Sequence, residues 1–301
     1  MENLLKVSGL NKSFGRKQVL HGVDFTVASG RVVGLVGPNG AGKSTIMKAI
    51  LGLIPADAGQ IAIAGVAVAI TSHQALKHVG ALIEYPGIYP FLTGRQHLQL
   101  FAAKRQRQTH IDEVVTDLGM GDYIDKSAKS YSLGMKQKLG IAQALVDHPQ
   151  LVILDEPMNG LDPQAVKELR EIIRRQAQAG VSFLISSHIL SELEKVADDV
   201  LILDHGHIVQ QSTMAALINS GGVVYVIKTT DDSAAKQALA AAHVPLADTT
   251  AVRVPITDSV VLNQALMALV KAGIAVQDVT KAQHDLERSF LDMIAKDKEA
   301  R

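Results

Sequence analysis

The sequence predicts an α/β fold, a mainly parallel sheet with helices on both sides, followed by a small C-terminal α/β appendage. Three observations predict it. Short apolar runs at residues 31–36, 151–154 and 181–186 have the length of buried strands. The first leads through a Gly-rich turn into a segment with helical apolar spacing, and the other two bracket a capped helix, as alternating strands and helices require. The pattern then pauses at Asn219, Ser220, Gly221 and Gly222, and a fresh series of elements begins. With 301 residues, 47% of them hydrophobic, the chain can fill such a core, which argues against disorder.

Taken in order, residues 5–27 alternate and are broken by Gly15 and Gly22, which predicts antiparallel strands. After the strand at 31–36, Ile46, Ala49, Ile50 and Leu53 recur at helical spacing. The run IAIAGVAVAI at 61–70 alternates about Gly65 and reads as a β-hairpin; it is well short of the roughly 20 residues that span a bilayer. Residues 96–125 read as a helical insert. The helix between the two later strands has Asp162 as N-cap, Pro163 at its first position and Gly180 after its last turn, with Val166, Leu169, Ile172 and Ile173 on one face. In the appendage, strands are expected at 223–228, at 252–256 and from Ile274, with helices from Asp232, Asp258 and His284. Two domains follow, residues 1–220 and 221–301.

Lys plus Arg and Asp plus Glu number 30 each, so no net field draws the molecule to nucleic acid or an anionic membrane. The basic cluster Lys104, Arg105 and Arg107 lacks interleaved aromatics and reads as a solvated helix face. Cysteine is absent, which excludes disulfides and thiolate chemistry and fits a cytoplasmic compartment. The opening MENLLKVSGLNKSF shows neither a basic leader with an apolar stretch nor a cleavage site, so no secretion signal is expected. Any membrane association is expected to run through a partner.

Chemistry concentrates in two motifs. Residues 37–45 read GPNGAGKST, the phosphate-binding pattern G-x-x-x-x-G-K-[ST], set between a predicted strand and a predicted helix. Gly37, Pro38, Asn39, Gly40, Ala41 and Gly42 would turn backbone N–H groups around phosphate oxygens at the positive end of a helix. Lys43 would reach the terminal phosphates, and Ser44, followed by Thr45, would place a hydroxyl on Mg²⁺. The second motif, LVILDEP, ends a buried strand in two carboxylates at the sheet edge where ligands of such folds bind. Asp155 is the candidate for the Mg²⁺ shell, and Glu156 for orienting or deprotonating an attacking water.

Residues 131–136, YSLGMK, open the helical stretch QKLGIAQAL, and here the chain resembles the ABC ATPase family, whose signature loop usually reads LSGGQ. Ser132 and Gly134 align with its serine and second glycine; Leu133 replaces the first glycine and Met135 the glutamine. A serine hydroxyl and a glycine N–H at a helix N-terminus still form an anion site. The resemblance implies a cassette with antiparallel β and helical subdomains. It also implies that Ser132 and Gly134 cap the γ-phosphate of ATP held by a second ATPase subunit. Asp162, in NGLD, resembles the loop through which the two sites communicate. Ser187 and His188 end VSFLISSH, where the family places its γ-phosphate-sensing histidine, and Phe14 occupies the place of the aromatic that stacks on adenine. Where many members have a glutamine, this chain has Glu84, which can still serve metal or water but is expected to add negative charge beside Asp155 and Glu156.

The GALIE segment, YSLGMKQ and the GLDP turn look like the subgroup associated with bacitracin and lantibiotic export or self-protection, over about residues 4–215; LERSFLDMI near the end is a looser match. The implied activity is ATP hydrolysis with Mg²⁺, by a pair of subunits held peripherally on the inner face of the cell membrane by an integral permease. A single phosphate loop, and the short stretch between Gly37 and Ser132, do not fit the two-cassette translation proteins or the coiled-coil repair proteins of the same fold. A nucleotide-gated regulatory module with little turnover is the rival reading, suggested by Glu84 and the altered signature.

Overall fold

The computed structural model describes residues 3–220, 223–246, 251–256 and 260–283. They fall into two compact units, divided between Met214 and Ala215, ahead of the expected break at 220/221.

The first unit opens with β1 (Asn3–Phe14) and β2 (Lys17–Ala28), antiparallel across the turn at Gly15. β3 (Val32–Val36) is buried at every position and runs through the Gly-rich turn into α1 (Lys43–Ile50). β4 (Ala58–Ile63) and β5 (Val66–Ala67) form the hairpin expected about Gly65 and complete a four-stranded sheet in the order β2-β1-β4-β5.

β6 (Val79–Leu82) precedes the helical insert, which is two helices, α2 (Gly94–Phe101) and α3 (Arg107–Asp117), and not one continuous run. The break falls where Ala102 turns extended and Gln106 takes φ 60°. α4 (Leu133–Leu145), β7 (Leu151–Leu154), α5 (Pro163–Gln178), β8 (Ser182–Ser187), α6 (Leu190–Glu194), β9 (Asp199–Asp204) and β10 (His207–Thr213) follow. The main sheet has the order β10-β9-β3-β8-β7-β6, parallel except for the edge strand β10.

This order places β3, β8 and β7 side by side, so the segments leaving their carboxyl ends share one edge of the sheet, where ligands of such folds gather. α4 packs closely on β6 because residue 80 is glycine: a Cβ there would overlap the Ala144 carbonyl. Asp162 caps α5 as expected, accepting from the amides of Gln164 and Ala165, and Leu169, Ile172 and Ile173 form its buried face.

The second unit takes up α7 (Met214–Ser220) beyond its first residue, then β11 (Val223–Thr229), α8 (Asp232–Ala241), β12 (Arg253–Pro255), α9 (Val261–Lys271) and β13 (Val276–Gln283). Its sheet, β12-β11-β13, is antiparallel. Ala235 and Leu239 of α8, with Val261, Ala265 and Leu269 of α9, give each helix a buried stripe at i, i+4 spacing against Ile227 and Val254. The helix expected from His284, with the LERSFLDMI segment, lies outside the described residues. Among the described residues no helix is long and apolar enough to cross a membrane.

Candidate functional site

The loop after β3 owes its shape to glycine. Gly40 has φ 82° and Gly42 φ 113°, a region that L side chains rarely adopt, and a Cβ on Gly42 would come within 2.7 Å of Leu20 Cδ2. A Cβ on Gly37 would overlap the Leu203 carbonyl. Pro38, Asn39 and Gly40 are exposed at the tip, Ala41 is buried, and Ser44 and Thr45 are half-buried at the start of α1. Lys43 is only 5% exposed. Burying an ammonium requires acceptors, and Nζ finds them in the Gly37 carbonyl at 2.6 Å and the Pro38 carbonyl at 3.3 Å. Nζ also lies 3.2 Å from Glu156 Oε1, an ion-pair contact that lacks hydrogen-bond geometry.

Glu156 gathers the edge together. Its other oxygen, Oε2, is 2.9 Å from His188 Nδ1 at the end of β8, so one carboxylate touches both the phosphate-loop lysine and the histidine. Its backbone has φ 48°. Asp155, 3% exposed, is hydrogen-bonded to Ser186 Oγ through Oδ1. Among the described residues no three His, Cys, Asp or Glu side chains form a metal cage. Mg²⁺ in a nucleotide site of this kind takes one or two protein oxygens and completes its shell with phosphate oxygens and water. Asp155 Oδ2, which makes no hydrogen bond among the described residues, and the Ser44 hydroxyl are hard donors of the right kind.

Glu84 does not stand as an uncompensated charge beside Asp155 and Glu156. Its carboxylate accepts a 2.6 Å hydrogen bond from Lys48 Nζ, in the last turn of α1. Lys48 and Ser186 are the two members of this edge to which the sequence reading assigned no role. The signal for Lys48 was its place one helical turn beyond Ser44; for Ser186, its place in the serine pair that ends the strand SFLISS just before His188. Phe14 is 52% exposed at the end of β1, with Lys12 Nζ 5.3 Å from the ring centroid.

The signature residues form a separate group. Ser132 caps α4 by accepting from the Met135 amide at 3.2 Å, and Gly134 stands in its first turn. Leu133 is 50% exposed and lies against Gly160 in the loop before Asp162. A cavity of about 320 Å³ between α4 and α5 is lined by Ser132, Gly134, Asp162 and Gln164 among others. Lys138 of α4 and Glu168 of α5 meet at 3.0 Å beside it, and hydrogen bonds from Gln164 and then Lys138 hold the Glu168 carboxyl below its ordinary value. Among the described residues no hydrogen bond or ion pair joins Ser132, Gly134 or Asp162 to Lys43, Asp155, Glu156 or His188.

Comparison with known proteins adds three kinds of likeness. A family model described as ABC transporter matches residues 20–159. The lantibiotic transport ATP-binding protein SrtF of Streptococcus pyogenes is 40% identical over 68% of this chain and 89% of its own length. The bacitracin transport ATP-binding protein BcrA of Bacillus licheniformis is 40% identical over 70% of each. A solved structure of the ATP-binding subunit of an ABC transporter superposes with a TM-score of 0.65 at 32% identity, over 72% of this chain and 92% of that one.

Proposed function

The chain belongs to the ABC transporter ATP-binding family and is an ATP-hydrolysing subunit of a transporter; from that premise we propose that two copies clamp ATP with Mg²⁺ to drive a separate membrane permease. The observation that carries the reading is the convergence of Lys43, Glu156 and His188 through one carboxylate at the edge where β3, β7 and β8 end. In this scheme Lys43 exchanges its carbonyl partners for phosphate oxygens, while the amides of residues 37–45 and the dipole of α1 hold the rest of the phosphate tail. Glu156 orients the attacking water and accepts its proton, and His188 contacts the γ-phosphate. The Ser44 hydroxyl and Asp155 would hold Mg²⁺, which would supply neutralisation of the phosphate charge.

Ser132 and Gly134 of the second copy seal the same nucleotide, with Asp162 at the seam and Phe14 against the adenine. ATP then acts by differential affinity, binding the closed pair more tightly than the open one. The regulatory alternative has less behind it, since Lys48 compensates Glu84 and Lys43, Glu156 and His188 lie in contact. The relatives' names point to a peptide antibiotic as the transported or excluded substance, with the subunit on the cytoplasmic face of the membrane. Residues 221–301 would form an accessory domain. Co-purification from membranes tests the transport reading. A partner with apolar spans of about 20 residues supports it, and a soluble partner overturns it.

A further inference from the structure

Ser186 sits on β8 directly beyond the point where backbone pairing between β7 and β8 ends, at Leu154 and Ile185. It is 0% exposed. Its hydroxyl donates to Asp155 Oδ1 at 2.6 Å and accepts from the Glu156 amide at 2.8 Å. On the other side of β7, the Asp155 amide donates to the Leu82 carbonyl at 2.9 Å, so Asp155 is held from both neighbouring strands and Glu156 from β8. Resting on the function proposed above, we infer that Ser186 is a positioning residue that aims both acids at the nucleotide.

The argument follows from the chemistry of a hydroxyl, which has one proton to give and lone pairs to receive. The proton goes to Asp155, which fixes that carboxylate by Oδ1 and leaves Oδ2 for the metal shell. A lone pair goes to the Glu156 amide, replacing the ladder bond that the strand can no longer supply once the chain turns to φ 48°. That backbone conformation directs the Glu156 side chain, which then spans Lys43 and His188. Because Ser186 is itself fully buried, removing its hydroxyl leaves the two bonds without a replacement from the strand. Alanine removes both functions, and threonine keeps both.

The test compares wild type with Ser186→Ala and Ser186→Thr in the full chain. For Ser186→Ala, kcat for ATP should fall about 10- to 100-fold, as for loss of an outer-shell partner. Affinity for a fluorescent ATP analogue without Mg²⁺ should stay within about threefold, because Ser186 does not touch the phosphate loop's grip. The tightening of that analogue by Mg²⁺ should be lost with the alanine and retained with the threonine, and this binding readout needs no turnover. Thermal unfolding checks that both variants are folded; if the alanine variant is not, Ser186→Cys, a weak donor, takes its place with the same outcomes. The inference is overturned if the folded alanine or cysteine variant keeps wild-type kcat and Mg²⁺ response, or if threonine is as impaired as alanine. Wild-type protein that binds ATP without any turnover would instead count against the hydrolytic reading, while the Mg²⁺ response would still decide the role of Ser186.

Discussion

The loop after β3 and the first turn of α4 both present amides at the start of a helix, but the first is embedded in a charged network and the second stands nearly alone. Lys43 and Asp155 are buried, and burial obliges them to find partners: Gly37, Pro38, Glu156 and Ser186 are those partners. At α4 one hydroxyl makes one cap bond, and an exposed leucine stands next to it. A preorganised half and a bare half in the same chain make sense when the bare half works on a nucleotide held by another copy. Both ends of the bare half are tied to the core: α4 packs on β6 at Gly80, and Lys138 reaches Glu168 on α5. Leu133 of the signature turn lies against Gly160, in the loop that leads to Asp162.

Substitutions can separate the two halves. The largest effect is expected from Glu156→Gln, which keeps the shape and removes the base; turnover should drop about 10²- to 10⁴-fold while ATP binding persists. An ATP-dependent dimer peak on size-exclusion chromatography should grow, and undiminished phosphate release would contradict the assignment. Lys43→Ala acts on binding itself. Loss of a charge-assisted contact should weaken a fluorescent ATP analogue about 10- to 100-fold, and an unchanged titration would remove the phosphate-loop reading. Phe14→Ala should cost about 2- to 10-fold in the same titration if the exposed ring stacks on adenine, with no change if its role is confined to the Lys12 contact.

Stability effects are smaller. Asp162→Ala removes the cap of α5 and should lower stability by about 1 kcal/mol, which calorimetry would register as a fall of about 2–4 °C in Tm. The Gln164 and Lys138 bonds hold the Glu168 carboxyl below its ordinary value, so their stabilisation is full above that value and is lost as pH falls through the lowered one. Acid titration of Lys138→Ala against wild type should accordingly show the two stabilities converging in the acid range and separating above it.

Much of this was legible in the sequence where local chemistry dictates structure. The glycines of residues 37–45, the apolar run ending in Asp155 and Glu156, and the Asp162–Pro163 start of α5 each carry a short-range reason for their shape. What escaped was tertiary. β6, β9 and β10 were not assigned as strands, although β9 positions 200–203 form an apolar run that is buried throughout. The break between α2 and α3 has no glycine or proline to announce it, because Gln106 takes the left-handed conformation itself. Lys48 meets Glu84 only because the end of β6 approaches α1, and the two bonds of Ser186 exist only because β8 lies beside β7.

The central claim, that each nucleotide is gripped by one copy and sealed by its twin, is tested most directly by mixing two inactive variants. Lys43→Ala disables the grip. Gly134→Asp disables the seal, by putting a carboxylate at a helix N-terminus meant for phosphate and a Cβ 3.3 Å from Ala165. In a mixed pair one site carries both lesions and the other carries neither, so turnover should reappear, up to about a quarter of wild type for random pairing of a two-fold dimer. A mixture no more active than its separate components would contradict the shared site.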